Sequence, residues 1–178
     1  MVAEERDINP MNRPRVEKVT VNISVGKSGE PLQKAIQVLE QITGQKPCLR
    51  KAKKTIRDFQ IQKGEPISCM VTLRGSRGEV FLKKVLETVG NKIPASSFDG
   101  HGNFALGVKE HIELPGAKYD PRLGIFGMDV CVSLSKPGSH VGRRRRARSK
   151  VGGAQVLTDE EAIGFVREAF GVETTEAS

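Results

Sequence analysis

The feature that most constrains the fold is a strict alternation of apolar and polar residues in three segments. In residues 18–25 every second side chain is valine or isoleucine, and the intervening side chains are polar or charged. Residues 104–108 and 126–134 show the same period of two in their apolar positions. This period predicts β-strands with one buried face and one face in water. Asn22 and Ser24 belong to the polar set of the first strand, so we expect both side chains to face solvent.

Helical patterns separate these strands. A proline near the start and a glycine after the end bound an amphipathic helix predicted over residues 30–43. A second amphipathic helix is predicted over residues 79–89, where valine, phenylalanine and leucine recur at helical spacing. A third is predicted at about 158–170, because Thr158 and Glu161 form a capping box ahead of an apolar run.

Two further strands complete the expected fold. They are predicted over residues 46–55 and 67–73, joined by a charged loop that should project outward. The pattern indicates an α+β domain, with a mostly antiparallel sheet whose helices pack on one face and leave the other open. We expect one domain over residues 1–178, with a basic segment at 136–150 and the C-terminal helix as an extension.

An arginine-rich run near the C-terminal end limits where that part of the chain can lie. Residues 143–150 carry six positive charges, on Arg143, Arg144, Arg145, Arg146, Arg148 and Lys150. A packed core could not absorb this charge without six partners. The run therefore faces either water, as a solvated charge run, or the phosphates of a polyanion.

A second basic stretch favours the polyanion. It comprises Lys46, Arg50, Lys51, Lys53, Lys54, Arg57 and Lys63, with Asp58 as its only acid. The whole chain has 29 Lys and Arg against 21 Asp and Glu, a formal net charge of +8, which is typical of nucleic-acid partners. Two basic clusters far apart in sequence suggest one composite binding face.

The composition also indicates how a nucleic acid would be recognised. Aromatic residues make up 4% of the chain, with no Trp and one Tyr, so reading bases by stacking on a sheet is disfavoured. Recognition by charge and shape is expected instead. No apolar stretch approaches the roughly 20 residues that a membrane helix needs, which predicts a cytosolic protein without a membrane partner.

Catalytic and metal-binding motifs are weak. Gly26-Lys27-Ser28 lies between a strand and a helix, but the glycine that a phosphate-binding loop needs five residues earlier is replaced by Val21. The three histidines show no metal-ligand spacing. We therefore expect no enzyme activity, metal or cofactor. Cys48, Cys69 and Cys131 are widely spaced in strand-like segments, which predicts three buried packing residues.

Several loop motifs carry a resemblance to a known family. They are Val21–Gly26, Thr43–Pro47, Lys51–Thr55, Val71–Gly75, Ser97–Phe104, Tyr119–Pro121 and Gly124–Val130. In this order they resemble the successive signatures of the universal L5 family, the 5S-rRNA-binding proteins of the large ribosomal subunit. The resemblance covers about residues 12–170. A basic segment followed by an acidic C-terminal helix is similar to the archaeal and eukaryotic type.

The resemblance implies a structural rRNA binder in the cytoplasmic ribosome. Such a protein attaches 5S rRNA to the large-subunit rRNA in the central protuberance, approaches the P-site tRNA, and contacts other large-subunit proteins and a small-subunit bridge partner. The rRNA-binding residues it implies are Asn22, Ser24, Lys27, Gln45, Lys46, Thr72, Arg74, Arg143, Arg144, Arg145, Arg146, Arg148 and Lys150. On resemblance alone, the tRNA-binding residues are Lys51, Lys53, Lys54, Arg57 and Lys63.

Two other functions remain open at this point. A free RNA-modifying or RNA-processing enzyme would need a cofactor motif or paired catalytic groups. A non-ribosomal RNA-binding or chaperone module would need only the basic surface.

Overall fold

The computed structural model describes residues 9–117 and 119–175 and has the expected α+β architecture. The strands are β1 (Arg15–Ser24), β2 (Cys48–Lys51), β3 (Pro66–Leu73), β4 (Lys92–Pro94), β5 (Phe104–Val108), β6 (Met128–Ser135) and β7 (Glu173–Thr175). The helices are α1 (Glu30–Thr43), α2 (Ser76–Thr88) and α3 (Asp159–Phe170).

Five strands form one sheet in the order β2-β3-β1-β6-β5, and every neighbouring pair is antiparallel. The central strand β1 buries Val19, Val21 and Ile23 almost completely against the helices. The apolar residues of the neighbouring strands lie on the same face and join one core. The predicted antiparallel sheet with one packed face is thus confirmed. It forms because successive side chains of a strand point to opposite faces, so the apolar residues of β1, two apart, all face the core.

Helix α1 has the predicted bounds. It begins after Gly29 and ends at Gly44, whose left-handed backbone lets its N–H donate to the Glu40 carbonyl at 2.8 Å. Its buried face consists of Leu32, Ala35, Val38 and Leu39. This spacing places one apolar stripe on the sheet.

Helix α2 begins three residues earlier than the sequence pattern predicts. Gly78 is buried inside the first turn of the helix. A Cβ at Gly78 would lie 3.4 Å from the Leu73 carbonyl oxygen and 3.6 Å from Val19 Cγ2. The glycine therefore permits close packing of the helix start on the sheet, a tertiary reason that local propensity does not reveal.

The C-terminal part of the chain packs into the same core. Leu157, Ala162, Val166 and Val172 are all buried in it. After α3 the chain pairs β7 with β4 in a parallel two-stranded sheet. No sequence pattern predicts this pair, because three-residue strands are too short to show a period.

Lys136, the first residue of the predicted basic segment 136–150, differs from the residues that follow it. It is 6% exposed, and its Nζ lies 2.9 Å from Glu161 Oε1 and 2.8 Å from Oε2. Glu161 also accepts from the Thr158 backbone in the predicted capping box. Lys136 therefore joins the end of β6 to the start of α3 and presents little charge to a partner.

The prediction for the cysteines is wrong for two of three. Cys69 is fully buried, and burial raises the pKa of its thiol to about 11. Cys48 and Cys131 are exposed. Cys131 alternates with buried Val130 and Val132, and Cys48 lies opposite Met70 on the polar face. Strand parity, rather than the type of side chain, decides which cysteine is buried.

We expect Gly102→Ala to destabilise the fold more than Gly100→Ala. Both glycines have positive φ and share the backbone strain, but a Cβ at Gly102 would lie 2.6 Å from Leu157 Cδ2 while one at Gly100 would meet nothing within 4 Å. The additional loss should be about 1 to 3 kcal/mol, the usual effect of overpacking. Denaturant unfolding of the two variants measures it, and equal losses would show that Leu157 does not constrain the loop.

The ion pair of Lys136 with Glu161 should make stability depend on pH. The hydrogen bond from Lys136 lowers the pKa of Glu161, so the pair stabilises the fold above the unfolded-state pKa and this contribution is lost as the pH falls through the folded value. Glu161→Gln should cost about 1 kcal/mol near neutral pH, because part of the Glu161 side chain stays in water. Its deficit relative to the unsubstituted protein should shrink below about pH 4.

The matched variant is Lys136→Met. It removes the buried amine together with its need for a partner, so it should cost less than Glu161→Gln. Urea melts across the acid range test both statements, and a deficit that stays constant with pH would contradict the role of the pair.

Candidate nucleic-acid interface

The face of the sheet opposite the helices carries small and mostly uncharged side chains, and we call it the open face. Its members on the five strands are Lys18, Thr20, Asn22, Ser24, Cys48, Arg50, Ser68, Met70, Thr72, Ala105, Gly107, Asp129, Cys131 and Ser133. Among the described residues, the helices pack on the opposite face of the sheet, because the core is built from the alternate residues of each strand. An open face of this kind can receive a broad, grooved surface such as folded RNA.

Asn22 lies near the middle of the open face. On one side it is opposite Met70, and on the other it is opposite Asp129. Its Nδ2 donates to Ser24 Oγ at 2.9 Å, which holds the amide along the strand. Thr20 and Thr72 lie opposite each other in the next row. The predicted exposure of Ser24 is confirmed and Asn22 is half-buried on this face.

Residues 143–150, the arginine segment, form a compact loop at one end of the sheet. The Arg143 and Arg144 N–H groups both donate to the His140 carbonyl at 2.9 Å, and Arg144 Nε donates to the Ala147 carbonyl at 2.7 Å. The Ser149 N–H donates to the Val141 carbonyl at 3.3 Å, which closes the loop. All the basic side chains of the segment are exposed.

Residues 51–63, the basic loop, extend from the other end of the sheet. Ile56 and Ile61 exchange backbone hydrogen bonds of 2.9 and 3.1 Å, which makes the loop a hairpin. Its base is anchored by buried Ala52 and by Glu65, which accepts from the Ser28 hydroxyl and from the Gln62 N–H. Side chains of its basic residues are all exposed; they are Lys51, Lys53, Lys54, Arg57 and Lys63.

The remaining predicted residues divide between these two ends. Lys27 is exposed in the turn after β1, whose Gly26 N–H donates to Ile67 at the base of the basic loop. Gln45 and Lys46 precede β2, on the side of the sheet where β3 ends at Leu73 and Arg74 follows. Strand β1 has 10 residues, so its two ends lie about 30 Å apart at roughly 3.3 Å per residue. The arginine segment and the basic loop therefore lie at opposite ends of the sheet, with the open face between them.

Two residues of this surface were missed. Glu17 lies between Arg74 and Arg143, where its carboxylate pairs with both guanidinium groups. Phe59 is 68% exposed near the tip of the basic loop. The sequence does contain a signal for Phe59, a single aromatic residue in a polar hairpin, whereas Glu17 looks like an ordinary strand residue.

In the part of the chain that the structure describes, no three His, Cys, Asp or Glu residues are placed to hold a metal ion, and no helix has the length and hydropathy to cross a membrane. A cavity of about 620 Å³ lies beside α1 and α2 and includes buried His111. His111 Nδ1 accepts from the Phe126 N–H at 3.2 Å, and burial lowers the pKa of the imidazole, which favours its neutral form.

Comparison with known families gives a consistent result. The family described as Ribosomal protein L5 matches residues 9–62, and the family described as the C-terminus of the same ribosomal proteins matches residues 66–165. Both matches lie almost entirely within the region of the resemblance noted above. The boundary between them falls directly after the basic loop.

Individual relatives agree with this. Large ribosomal subunit protein uL5 of Pyrobaculum aerophilum is 54% identical over 93% of this chain and 92% of its own. The uL5 proteins of Aeropyrum pernix and Sulfurisphaera tokodaii are 52% and 50% identical, over 96% and 98% of this chain and 90% and 99% of their own. All three are named as ribosomal proteins and none as an enzyme. The chain belongs to the ribosomal protein L5 family of the large ribosomal subunit.

Proposed function

We propose that this protein binds 5S rRNA on the open face and attaches it to the large-subunit rRNA in the central protuberance. The observation that carries the proposal is a polar, mostly uncharged sheet face with a basic cluster at each end. A face of this composition adds little non-specific attraction, so it can discriminate between RNAs by hydrogen bonding and fit. The basic ends supply affinity through phosphate contacts.

The open face contributes specificity in this proposal. Asn22, Ser24 and Thr72 present amide and hydroxyl groups that can bond sugar, phosphate or base edges of a docked RNA. They are carried on adjacent central strands, whose backbones are held by neighbours on both sides. Rigid strands keep the spacing of these groups constant, which lowers the entropy cost of binding.

The arginine segment contributes affinity at one end. Its exposed guanidinium groups can each bind phosphate with paired N–H donors. With Lys46 and Arg74 at the same end, it forms the larger of the two basic surfaces. We assign it to the backbones of 5S rRNA and large-subunit rRNA.

The basic loop has a different role. It projects from the sheet as a hairpin that contributes only Ala52 to the buried hydrophobic residues, so it can reach a partner beyond the RNA on the open face. We assign it to the P-site tRNA, with neighbouring ribosomal proteins and a small-subunit bridge partner as further contacts. Its charge is compatible with the tRNA backbone.

Sedimentation of intact large subunits through a high-salt sucrose gradient tests the ribosomal role. We expect the protein to remain with the subunit, because many contacts act together. A free RNA-modifying enzyme or a chaperone would leave the subunit at a salt concentration that screens phosphate contacts. Loss of the protein at moderate salt would contradict stable incorporation.

Asn22→Ala should weaken binding to 5S rRNA by about 1 to 3 kcal/mol, the cost of a lost interfacial hydrogen bond. Its thermal stability should change little, because the bond from Asn22 to Ser24 is on the exposed side of the sheet. Discrimination over random RNA of equal length should fall. Filter binding or fluorescence anisotropy with both RNAs measures these quantities.

The control for Asn22→Ala is Gln37→Ala, which removes an exposed amide from α1 on the opposite side of the sheet. It should leave both affinities unchanged. If Asn22→Ala unfolds the protein, or behaves like Gln37→Ala, the open face is not the recognition surface.

Replacing Lys51, Lys53 and Lys54 with Ala should distinguish the function of the basic loop from that of the arginine segment. We expect this triple variant to bind free 5S rRNA nearly normally and to weaken P-site tRNA on reconstituted subunits. Replacing Arg144, Arg145 and Arg146 removes the same number of charges and should do the reverse. The salt slope of 5S binding should fall by roughly 0.7 to 0.9 for each phosphate contact that the arginine variant loses. Equal effects of the two variants on 5S rRNA would contradict the division of roles.

A further inference from the structure

Glu17 occupies an irregular position in β1. Val16 pairs with Leu134 and Lys18 pairs with Ser133, so Glu17 is the extra residue of a β-bulge between β1 and β6. Regular alternation would have placed Glu17 on the same side as buried Val19. The bulge instead leaves Glu17 without a partner on β6, and its carboxylate reaches the arginines at this end of the sheet. Bulges often redirect a side chain in this way at functional surfaces.

The redirected carboxylate contacts two arginines that come from different parts of the chain. Glu17 Oε1 is 3.8 Å from Arg74 Nη1, just beyond the end of β3, and it also accepts from Arg143 Nη1 at the start of the arginine segment. The Glu17 side chain is 15% exposed, whereas those of Arg74 and Arg143 are 60% and 54% exposed. The acid is thus largely buried, whereas both of its basic partners remain more than half exposed.

A stabilising ion pair does not fully explain this arrangement. Glu17 Oε2 is buried and has no hydrogen-bond partner among the described residues. Such an unsatisfied charged oxygen is unfavourable, and pairs with half-exposed arginines contribute little to stability. A carboxylate near bound phosphates would also repel them. A residue with these costs calls for another explanation.

We propose that Glu17 is a positioning residue that holds Arg74 and Arg143 side by side, so that both guanidinium groups meet phosphates of one RNA strand at the edge of the open face. This inference rests on the proposed function. Arginine side chains lose considerable rotamer freedom on binding, and a partner that orders them in the free protein lowers that cost. Because backbone and side-chain bonds make the arginine segment a compact loop, holding Arg143 also orients the charges that follow it.

The first test compares Glu17→Gln with Glu87→Gln. Glu87 is an exposed acid on α2, on the other side of the sheet, so both variants lose one negative charge. If Glu17 positions the arginines, Glu17→Gln should weaken 5S binding about tenfold, as expected when a held charge-assisted contact to phosphate is released. Binding to random RNA should be unchanged or stronger, as for Glu87→Gln. If Glu17 only repels phosphate, Glu17→Gln strengthens binding to both RNAs and the inference is overturned.

The second test needs no RNA. Brief trypsin digestion of the free protein, with cleavage sites mapped by mass spectrometry, reports how firmly residues 143–148 are held. Glu17→Gln should speed cleavage there several-fold relative to the basic loop, which serves as the internal reference, and Glu87→Gln should not. Unchanged cleavage in Glu17→Gln overturns the inference whatever the RNA results are.

Arg143→Gln completes the comparison. It breaks the same Glu17–Arg143 contact by changing the exposed partner. This variant therefore replaces Glu17→Gln in both tests if Glu17→Gln destabilises the protein. The double variant should bind 5S rRNA no worse than the weaker single variant, because the two residues act as one unit. Additive losses would contradict positioning. If the unsubstituted protein itself fails to prefer 5S rRNA, the proposed function fails, while trypsin mapping still decides whether Glu17 holds the segment.

Discussion

The structure depends on the division of one antiparallel sheet into a packed face and an open face. Strand β1 is central, and its buried residues Val19, Val21 and Ile23 contact the core on which the helices pack. Burial of these side chains, of the matching residues on β3, β5 and β6, and of the apolar helix faces drives folding. Most of the alternate residues lie outside this core, which leaves their chemistry available for binding.

Electrostatics are distributed in accordance with this division. Two clusters of exposed positive charge lie at the two ends of the sheet, in the arginine segment and the basic loop, whereas the open face between them is nearly neutral. Lys136 departs from this distribution because it is paired with Glu161 in a structural contact. Glu17 departs from it as an acid within a basic end. These two residues show that the role of a charged side chain on a basic protein depends on its ion-pair partners as well as on its sign.

The candidate site was only partly predictable. The exposed face of β1 and the two basic clusters follow from periodicity and charge, and the family resemblance agrees with the relatives found. The alternation of Cys131 with Val130 and Val132 also indicates that Cys131 is exposed. Our prediction instead followed the general preference of cysteine for burial. Glu17, at the β-bulge, contacts Arg143, which lies 126 positions away in the sequence. No local sequence pattern predicts such a contact.

Periodicity, capping and charge in the sequence predict the types of the main strands and helices, the parity of the buried residues and the surplus of positive charge. These properties depend on local periodicity, capping and composition, which act within a few residues. Strand β2, at Cys48–Lys51, is shorter than the strand predicted over residues 46–55. The start of α2 around buried Gly78, the pairing of β4 with β7, and the position of the arginine segment and the basic loop at opposite ends of the sheet depend on tertiary structure. Those features arise from contacts between distant segments, whose geometry is set by how the whole core packs.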